Sequence, residues 1–468
     1  MCSVGIACGG GAGRALAEWV IEGEPSMDLW PVDIRRFTKV QNSIRTLRER
    51  SPETLSLHYA VSFPGRQYKT SRNLRLSPLH SRLEKAGAVF SAQMGWERPW
   101  WFNPEGISTH PELSFEKPGW FFLHAQEHEA ARKSVVLIDQ STFGKLIVQG
   151  KDAEKFLQRV CANDISSAHV KVVYTPLLNN HGGYESDLTI MGLDEDRFLL
   201  ITGTGQPVRD HNWISRNIKP EEFVSVTDIT LDYAVISVAG PNSRKLLNLA
   251  SPDDFSNEGF SYFTHRNVEI GPAIVRAARL SYTGELGWEL YVPSESAIPV
   301  FDTLNEYGSD LDLKLAGMEA LRSLRIEKGF RAWGHEIGPY DTPLEAGMGF
   351  SVKLNKKVSF LGKEALVKQK KKGINRYLVM LTAKDSEAHA HGGEPIWLND
   401  KLAGHTTSGT FGHSVGCTVM MGYINCLDTK LEKTLSNGNF EVEIACRRFP
   451  SQASLEAPYD PKGVVLEK

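Results

Sequence analysis

Apolar residues Ala15, Leu16, Trp19 and Val20 recur at helical spacing, and Gly23 and Pro25 close the run. Gly9-Gly-Gly-Ala-Gly13 stands directly in front, so the pattern predicts a glycine loop opening onto a helix N-terminus, where free N–H groups meet an anion or a polarised oxygen. The G-x-G-x-x-G fingerprint fails, because counting from Gly11 the last position is Leu16, and no strand comes before it. Close packing of a helix through small residues and contact with a cofactor both stay open. Residues 95–104 concentrate aromatics and prolines and read as an irregular connection that packs like core, hence a domain boundary, with a binding surface as the alternative. The pattern then predicts a polar helix at 125–133, two β runs within 135–150, a helix at 152–160, strands at 196–203 and 233–239, and a helix starting at 240–244. This irregular alternation runs to about 349 and implies an α+β fold rather than a doubly wound sheet. Residues 363–372 form a helix ended by Gly373, with its lysines where the helix dipole favours cations. Short strands at 377–381, 396–398, 404–408, 419–423 and 440–445, separated by turn clusters, predict a small β-barrel-like module.

Composition narrows the class. At 468 residues the chain has room for two to four domains. Its 53 Lys and Arg nearly balance 56 Asp and Glu, so no global field draws it to nucleic acid or a membrane, and no apolar run is long enough to span one. Cys2, Cys8, Cys161, Cys417, Cys426 and Cys446 form no CxxC pair, which fits free thiols in a reducing compartment. Met1-Cys-Ser-Val-Gly-Ile is not a secretory start, and Glu18, Glu22 and Glu24 arrive too early for a transit peptide. A cytosolic mature protein, or a targeting segment further upstream, is expected.

Four segments concentrate chemistry. In 174–190 two β runs flank the turn Asn-Asn-His-Gly-Gly, and Asp187 sits among apolar strand residues, where its charge needs a partner or a solvent face. In 280–291, Tyr-Thr-Gly-Glu makes a turn that aims Glu285 at whatever lies above it, while Glu289 reads as an exposed strand position. Arg322 and Arg325 share a helix face, suited to a carboxylate or to surface pairs with Glu319 or Glu327. At 340–349, Asp341 or Thr342 caps, Pro343 opens a turn, and Glu345 reads as capping chemistry. Metal-spaced His/Cys clusters and a G-x-S-x-G motif are absent. Isolated carboxylates and arginines remain, which suit a polar heterocycle with a carboxylate tail.

Together these segments resemble the glycine-cleavage T-protein (aminomethyltransferase) family. The motifs are Tyr-Thr-x-x-Leu-Asn-x-x-Gly-Gly-x-x-x-Asp-Leu at 174–188, Tyr-Thr-Gly-Glu-x-Gly at 282–287, Leu-Arg-Ile-Glu-Lys-Gly at 324–329 and Thr-Pro-Leu-Glu-Ala-Gly at 342–347. Gly9-Gly-Gly-Ala-Gly, Asp33-Ile-Arg-Arg-Phe, Gly95-Trp-Glu-Arg-Pro and Phe330-Arg-Ala-Trp look like the sarcosine and dimethylglycine dehydrogenase family, and Ser77-Pro-Leu-His and Ser-Leu-Glu-Ala-Pro-Tyr-Asp-Pro461 lean toward its sarcosine branch. The pyruvate dehydrogenase phosphatase regulatory subunit, a non-catalytic protein of the same architecture, is the alternative.

The resemblance implies a T-protein-like folate-binding domain with a C-terminal β-barrel module, preceded by a remnant of a flavin-dependent oxidoreductase domain. The implied boundaries are 1–36 for the remnant, 37–92 for its central domain, 93–355 for the folate-binding domain and 356–468 for the barrel module. It implies oxidative N-demethylation of sarcosine or dimethylglycine, with one-carbon transfer to tetrahydrofolate, an electron-transfer flavoprotein partner and a mitochondrial matrix location. FAD belongs to the full-length family; this chain is expected to carry only the one-carbon-transfer part. Carried over by motif, Asp187 is catalytic, beside the attacking folate nitrogen. Glu285 and Tyr282 hold the pterin, Arg325 faces the folate tail, and Leu177 and Asn179 line the pocket. Gly10, Gly11 and Gly13 are the flavin-side contacts.

Overall fold

The computed structural model describes residues 5–23, 25–107, 115–426 and 431–467. Cys2 and Glu24, used above, lie outside them. The N-terminal part contains helices α1 (Gly5–Glu22), α2 (Ile44–Ser56) and α3 (His80–Lys85), then the antiparallel hairpin β1 (Ala88–Gln93) and β2 (Trp96–Phe102). Next come α4 (Phe121–Lys133), β3 (Val135–Asp139), β4 (Gly144–Gln149), α5 (Ala153–Val160), β5 (Val173–Leu178), β6 (Tyr184–Asp194), β7 (Arg197–Thr202) and α6 (Pro207–Arg216). The chain continues through β8 (Ser225–Asp228), β9 (Tyr233–Ala239), α7 (Ser243–Ala250), β10 (His265–Ile270), β11 (Ala273–Ala278), β12 (Gly287–Pro293), α8 (Ala297–Gly308), β13 (Leu313–Leu315) and α9 (Met318–Glu327). The last part holds α10 (Lys363–Lys372), β14 (Arg376–Ala383), β15 (Pro395–Leu398), β16 (Lys401–Gly412), β17 (Cys417–Asn425), α11 (Leu431–Asn437), β18 (Phe440–Ile444) and β19 (Arg447–Ser454).

Two sheets carry the central domain, in the orders β10-β11-β12-β9-β3-β13 and β5-β6-β7-β4-β8. Side chains alternate across each strand, so each sheet has an outer and an inner face. The outer face of the six-stranded sheet buries Val135, Leu137, Ile236, Val238, Trp288, Leu290 and Val292 beneath residues of α7 and α8. The outer face of the five-stranded sheet buries Leu146, Val148, Leu188, Ile190, Phe198 and Leu200 beneath α5 and α6. The inner faces meet each other: Ile147, Met191, Leu199 and Ile201 pack against Val235, Ala278 and Tyr291. Beside that contact, α4 and α9 cover Val136, Ile138 and Ala239 on the same inner side of the six-stranded sheet. The C-terminal strands close a barrel in the order β14-β17-β16-β15-β18-β19, an α+β architecture with a barrel module.

Three expectations change. Gly9 to Gly13 form no loop: they lie inside α1, and a Cβ at Gly9, Gly10, Gly11 or Gly13 would meet nothing within 4 Å. The apolar periodicity at 15–20 was part of a longer helix, which tolerates its glycines at roughly 1 kcal/mol each. Residues 95–104 are not an irregular connection, because 96–102 pair in register as β2. Glu127 of α4 ties this hairpin to the core, accepting from Phe102 N at 2.6 Å and from Gly317 N at 2.8 Å. The helix expected to be polar, α4, buries Leu123, His124, Glu127, His128, Ala130 and Ala131. Strand β19, which closes the barrel against β14, carried too few apolar positions to stand out.

Candidate functional site

The β5–β6 hairpin builds the first half of the site. Asn179 shapes its turn: its Oδ1 accepts from His181 N and Gly183 N, both at 3.0 Å, and its Nδ2 donates to Pro339 O at 3.0 Å. Gly183 is required there, since a Cβ would stand 1.9 Å from Pro339 O. From this turn β6 runs inward. Ser186, Leu188 and Ile190 are buried on its outer side, so Asp187, Thr189 and Met191 take the inner face. Asp187, Thr189, Tyr174 and Tyr282 stay half-buried, so solvent still reaches the recess around Asp187. Tyr174 OH donates to Asp187 Oδ2 at 3.0 Å. Burial pushes the Asp187 carboxyl up to about 6, against the pull of that bond.

Strand β12 belongs to the facing sheet. Trp288, Leu290 and Val292 occupy the outer core, which turns Glu289 and Tyr291 inward. Glu289 was expected on an exposed face. It is 5% exposed and takes a hydrogen bond from Tyr291 OH at 2.6 Å. Burial pushes its carboxyl up to about 7. Tyr282 lies near Asp187, whose charge it feels: its OH donates to Arg331 O at 2.6 Å, and its ring stacks on Phe330 with centroids 5.7 Å apart.

The other residues carried over by motif have different surroundings. Glu285 is 1% exposed and accepts from Arg132 Nη1 at 2.9 Å and Tyr459 OH at 2.5 Å. Arg132 also holds Glu327 at 2.9 Å, and Glu327 accepts from Ser414 N at 2.7 Å and lies 3.2 Å from His128 Nε2. Glu285 therefore belongs to a saturated network joining α4, α9, the barrel and the C-terminal segment. Arg325 pairs with Glu336 at 2.6 Å and donates to Ser408 Oγ at 2.8 Å, so its fork is consumed inside the protein. Arg322 donates to Gly409 O at 2.7 Å and lies 3.5 Å from Glu319, the surface pair among the alternatives. Leu177 is fully buried with Val160 and Cys161 on the outer side of its sheet, away from the recess. Asn179 borders instead a cleft of about 560 Å³ that it shares with Trp30, Arg209 and Tyr340. Glu345 and Thr342 form the expected reciprocal cap, at 3.1 and 3.3 Å.

Sequence reasoning passed over two groups behind and beside Asp187. Asp210 of α6 is fully buried and accepts from Ser186 Oγ at 2.9 Å and from Thr202 Oγ1, while burial pushes it up to about 7. Arg209 is held between Asp28 at 3.0 Å and Glu185 at 2.6 Å. Neither sits in a motif. For the inward turn of Glu289 the available signal was its alternation, with Tyr291, against the large apolar Trp288, Leu290 and Val292.

Residues 79–356, more than half of the chain, match the GCVT N-terminal domain model, and 376–460 match the glycine cleavage T-protein C-terminal barrel domain. The chain belongs to the glycine-cleavage T-protein family. In this T-protein chain, residues 22–77 further match the FAD dependent oxidoreductase central domain. It is 41% identical over 464 residues to the 4-methylaminobutanoate oxidase (formaldehyde-forming) of Paenarthrobacter nicotinovorans, covering 99% of this chain and 56% of that protein. It is 36% identical over 507 residues to the mitochondrial sarcosine dehydrogenase of Mus musculus, covering 98% of this chain and 54% of that one. The chain thus spans about half the length of these curated relatives. The crystal structure of aminomethyltransferase T from Bartonella henselae shares the fold, with a TM-score of 0.69 at 24% identity over 82% of this chain and 97% of that one.

Two cofactors follow from the resemblance, and the residues treat them differently. For a flavin, Gly10, Gly11 and Gly13 offer no cradle, because they lie in mid-helix with their N–H groups turned into the helix ladder. For a reduced folate the recess fits. Asp187 stands among the half-buried Tyr174 and Tyr282, and the buried Tyr184 hydroxyl, which also feels the Asp187 charge, has no hydrogen-bond partner in the protein.

Proposed function

We propose that this chain performs the one-carbon-transfer half of an oxidative N-demethylation of a small N-methyl amino acid, such as sarcosine or dimethylglycine, with tetrahydrofolate as acceptor. The observation that carries this reading is Asp187, an inward-facing strand carboxylate held by Tyr174 in a recess and poised near neutral pH. Tetrahydrofolate, when bound, supplies the nucleophilic nitrogen that takes up the one-carbon unit. Asp187, ionised at pH 7, stabilises positive charge on the incoming methylene iminium and accepts the proton that the acceptor nitrogen releases. A carboxyl near 6 is suited to both roles, since it is mostly charged at pH 7 and still basic enough to take a proton. Tyr174 fixes the orientation of Oδ2. Glu289, rather than Glu285, is the carboxylate free to receive paired N–H donors from the pterin, since its bonded partner is Tyr291 alone. Tyr282 forms part of the wall of the recess.

The oxidation step, FAD, the electron-transfer flavoprotein and the mitochondrial matrix belong to the proposal for the longer protein; no step here runs through the flavin. Among the described residues no helix is long and apolar enough to cross a membrane. Titration calorimetry of the chain with tetrahydrofolate tests the reading. Saturable binding at one site is expected, and a folded chain that gives no heat defeats it.

A further inference from the structure

Resting on the folate reading, we infer that Arg331 is an anion-binding residue of this recess, taking a carboxylate of a bound ligand. The sequence motif assigned that role to Arg325, whose guanidinium is spent on Glu336 and Ser408. Glu336 is in turn fully used: Oε2 receives Arg325 Nη1 and Ala332 N, and Oε1 receives Thr407 Oγ1. Arg331, six residues further along, therefore has no carboxylate to pair with. Its Nε donates to Ala346 O at 3.1 Å and its Nη1 to Gly329 O, both backbone carbonyls. Its Nη2 has no partner within the protein, yet it is not sealed off either.

A guanidinium keeps its charge at any physiological pH, so one drawn out of water without a counter-charge is costly until an anion arrives. Burial indeed pulls its proton affinity below the ordinary arginine range, with Glu336, Tyr423, Tyr184 and Tyr174 as the groups that face it. Several interior arginines are paired: Arg132 with Glu285 and Glu327, Arg209 with Asp28 and Glu185. Arg98 on β2 forms no ion pair among the described residues either, with its Nε buried and unbonded, but nothing ties it to the surroundings of Asp187. Arg279 also lacks a carboxylate, but it is 1% exposed beneath the Trp288 ring, where no ligand reaches it.

Placement ties Arg331 to the recess. Its backbone carbonyl receives Tyr282 OH, and Tyr174, which holds Asp187, is among its neighbours. Gly347 lies against Nη2: a Cβ there would stand 3.1 Å from that nitrogen. The fork geometry of the guanidinium selects a planar anion, a carboxylate above all. Two sources share that chemistry: the glutamate tail of the folate, and the acid group of the N-methyl amino acid that donates the carbon.

The test compares the full chain with Arg331→Met and Arg331→Lys in equilibrium titrations. The probes are tetrahydrofolate, 6-methyltetrahydropterin, which has the ring and no carboxylate, and sarcosine added to the folate-loaded chain. The wild type and both variants should bind 6-methyltetrahydropterin alike, which also reports that the recess is intact. A loss of tenfold or more for tetrahydrofolate in Arg331→Met, partly restored in Arg331→Lys, supports the folate tail as the ligand. The same loss confined to sarcosine supports the donor's acid group. Equal affinities of wild type and variants for both carboxylate probes overturn the inference and leave the folate reading standing. Absence of tetrahydrofolate binding by the wild type overturns both.

Discussion

Two regions of the molecule hold acidic side chains in the interior and differ in how many partners they give them. Around Arg132, the carboxylates of Glu285 and Glu327 are met by a guanidinium, a backbone N–H, an imidazole and a tyrosine hydroxyl. Burial alone would raise Glu327, but His128, Ser414 and Arg132 outweigh it and bring the carboxyl down to about 2. Around Asp187, each inward carboxylate is held by a tyrosine hydroxyl, and burial wins: Asp187 rises to about 6 and Glu289 to about 7. Saturated charges cement modules together. Under-bonded ones store the capacity to meet a ligand, at the expense of stability. Glu285 and Glu289 are near neighbours in one segment, and their hydrogen-bond partners separate them.

That contrast can be broken most sharply at Asp187. Asp187→Asn should lower one-carbon transfer by about 10²- to 10⁴-fold, the usual contribution of an acid–base group. Its melting temperature should stay level or rise, because a desolvated charge is removed. Activity within tenfold of the wild type would put the chemistry elsewhere. Next in size, Arg132→Met strands two buried carboxylates and should cost about 3–5 kcal/mol in urea unfolding; a loss near zero would mean that the network is no cement. Glu289→Gln should weaken tetrahydrofolate binding about tenfold, the scale of a lost charged hydrogen bond, without lowering stability at pH 7.

Acid titration separates Glu327 from Asp187 and Glu289 by sign, while burial lifts Glu285 as well. Asp187 and Glu289 bind protons more tightly when folded, so their contributions to stability grow as pH falls from about 7 toward the unfolded carboxylate range. Glu327 binds its proton less tightly when folded, so its contribution is present above that range and is lost as pH falls toward about 2. Unfolding measured from pH 7 down to 3 should flatten in its upper part for Glu289→Gln and in its lower part for Glu327→Gln. The transfer rate should fall as pH drops through about 6, where Asp187 takes up its proton. Smallest of all, Glu285→Gln should leave tetrahydrofolate affinity unchanged; a marked loss there would return the pterin to the residue that the motif indicated.

Much of the fold was legible because local pattern and tertiary context agree. The strand at 233–239 and the helix at 363–372 coincide with β9 and α10, where continuous apolar runs or a terminal glycine leave no competing choice. The hairpin that carries Asp187 follows from its glycine turn. The glycine-rich start misled because glycines in a row are read as a loop, whereas a helix that touches little else tolerates them. Strand β2 was hidden because tryptophans and a proline dilute an alternation that only pairing with β1 reveals.

By itself the sequence determined elements such as β9 and α10, the barrel-like module at the end and the place of Asp187 among apolar strand residues, since each rests on spacing along one segment. Only the tertiary structure decided which charges are spent and which are open. Arg325 and Arg331, and likewise Glu285 and Glu289, differ in partners drawn from segments far away in the chain, as Ser408 and Tyr459 illustrate. Hydrogen-bond satisfaction is a property of the assembled neighbourhood, and no window of sequence contains it.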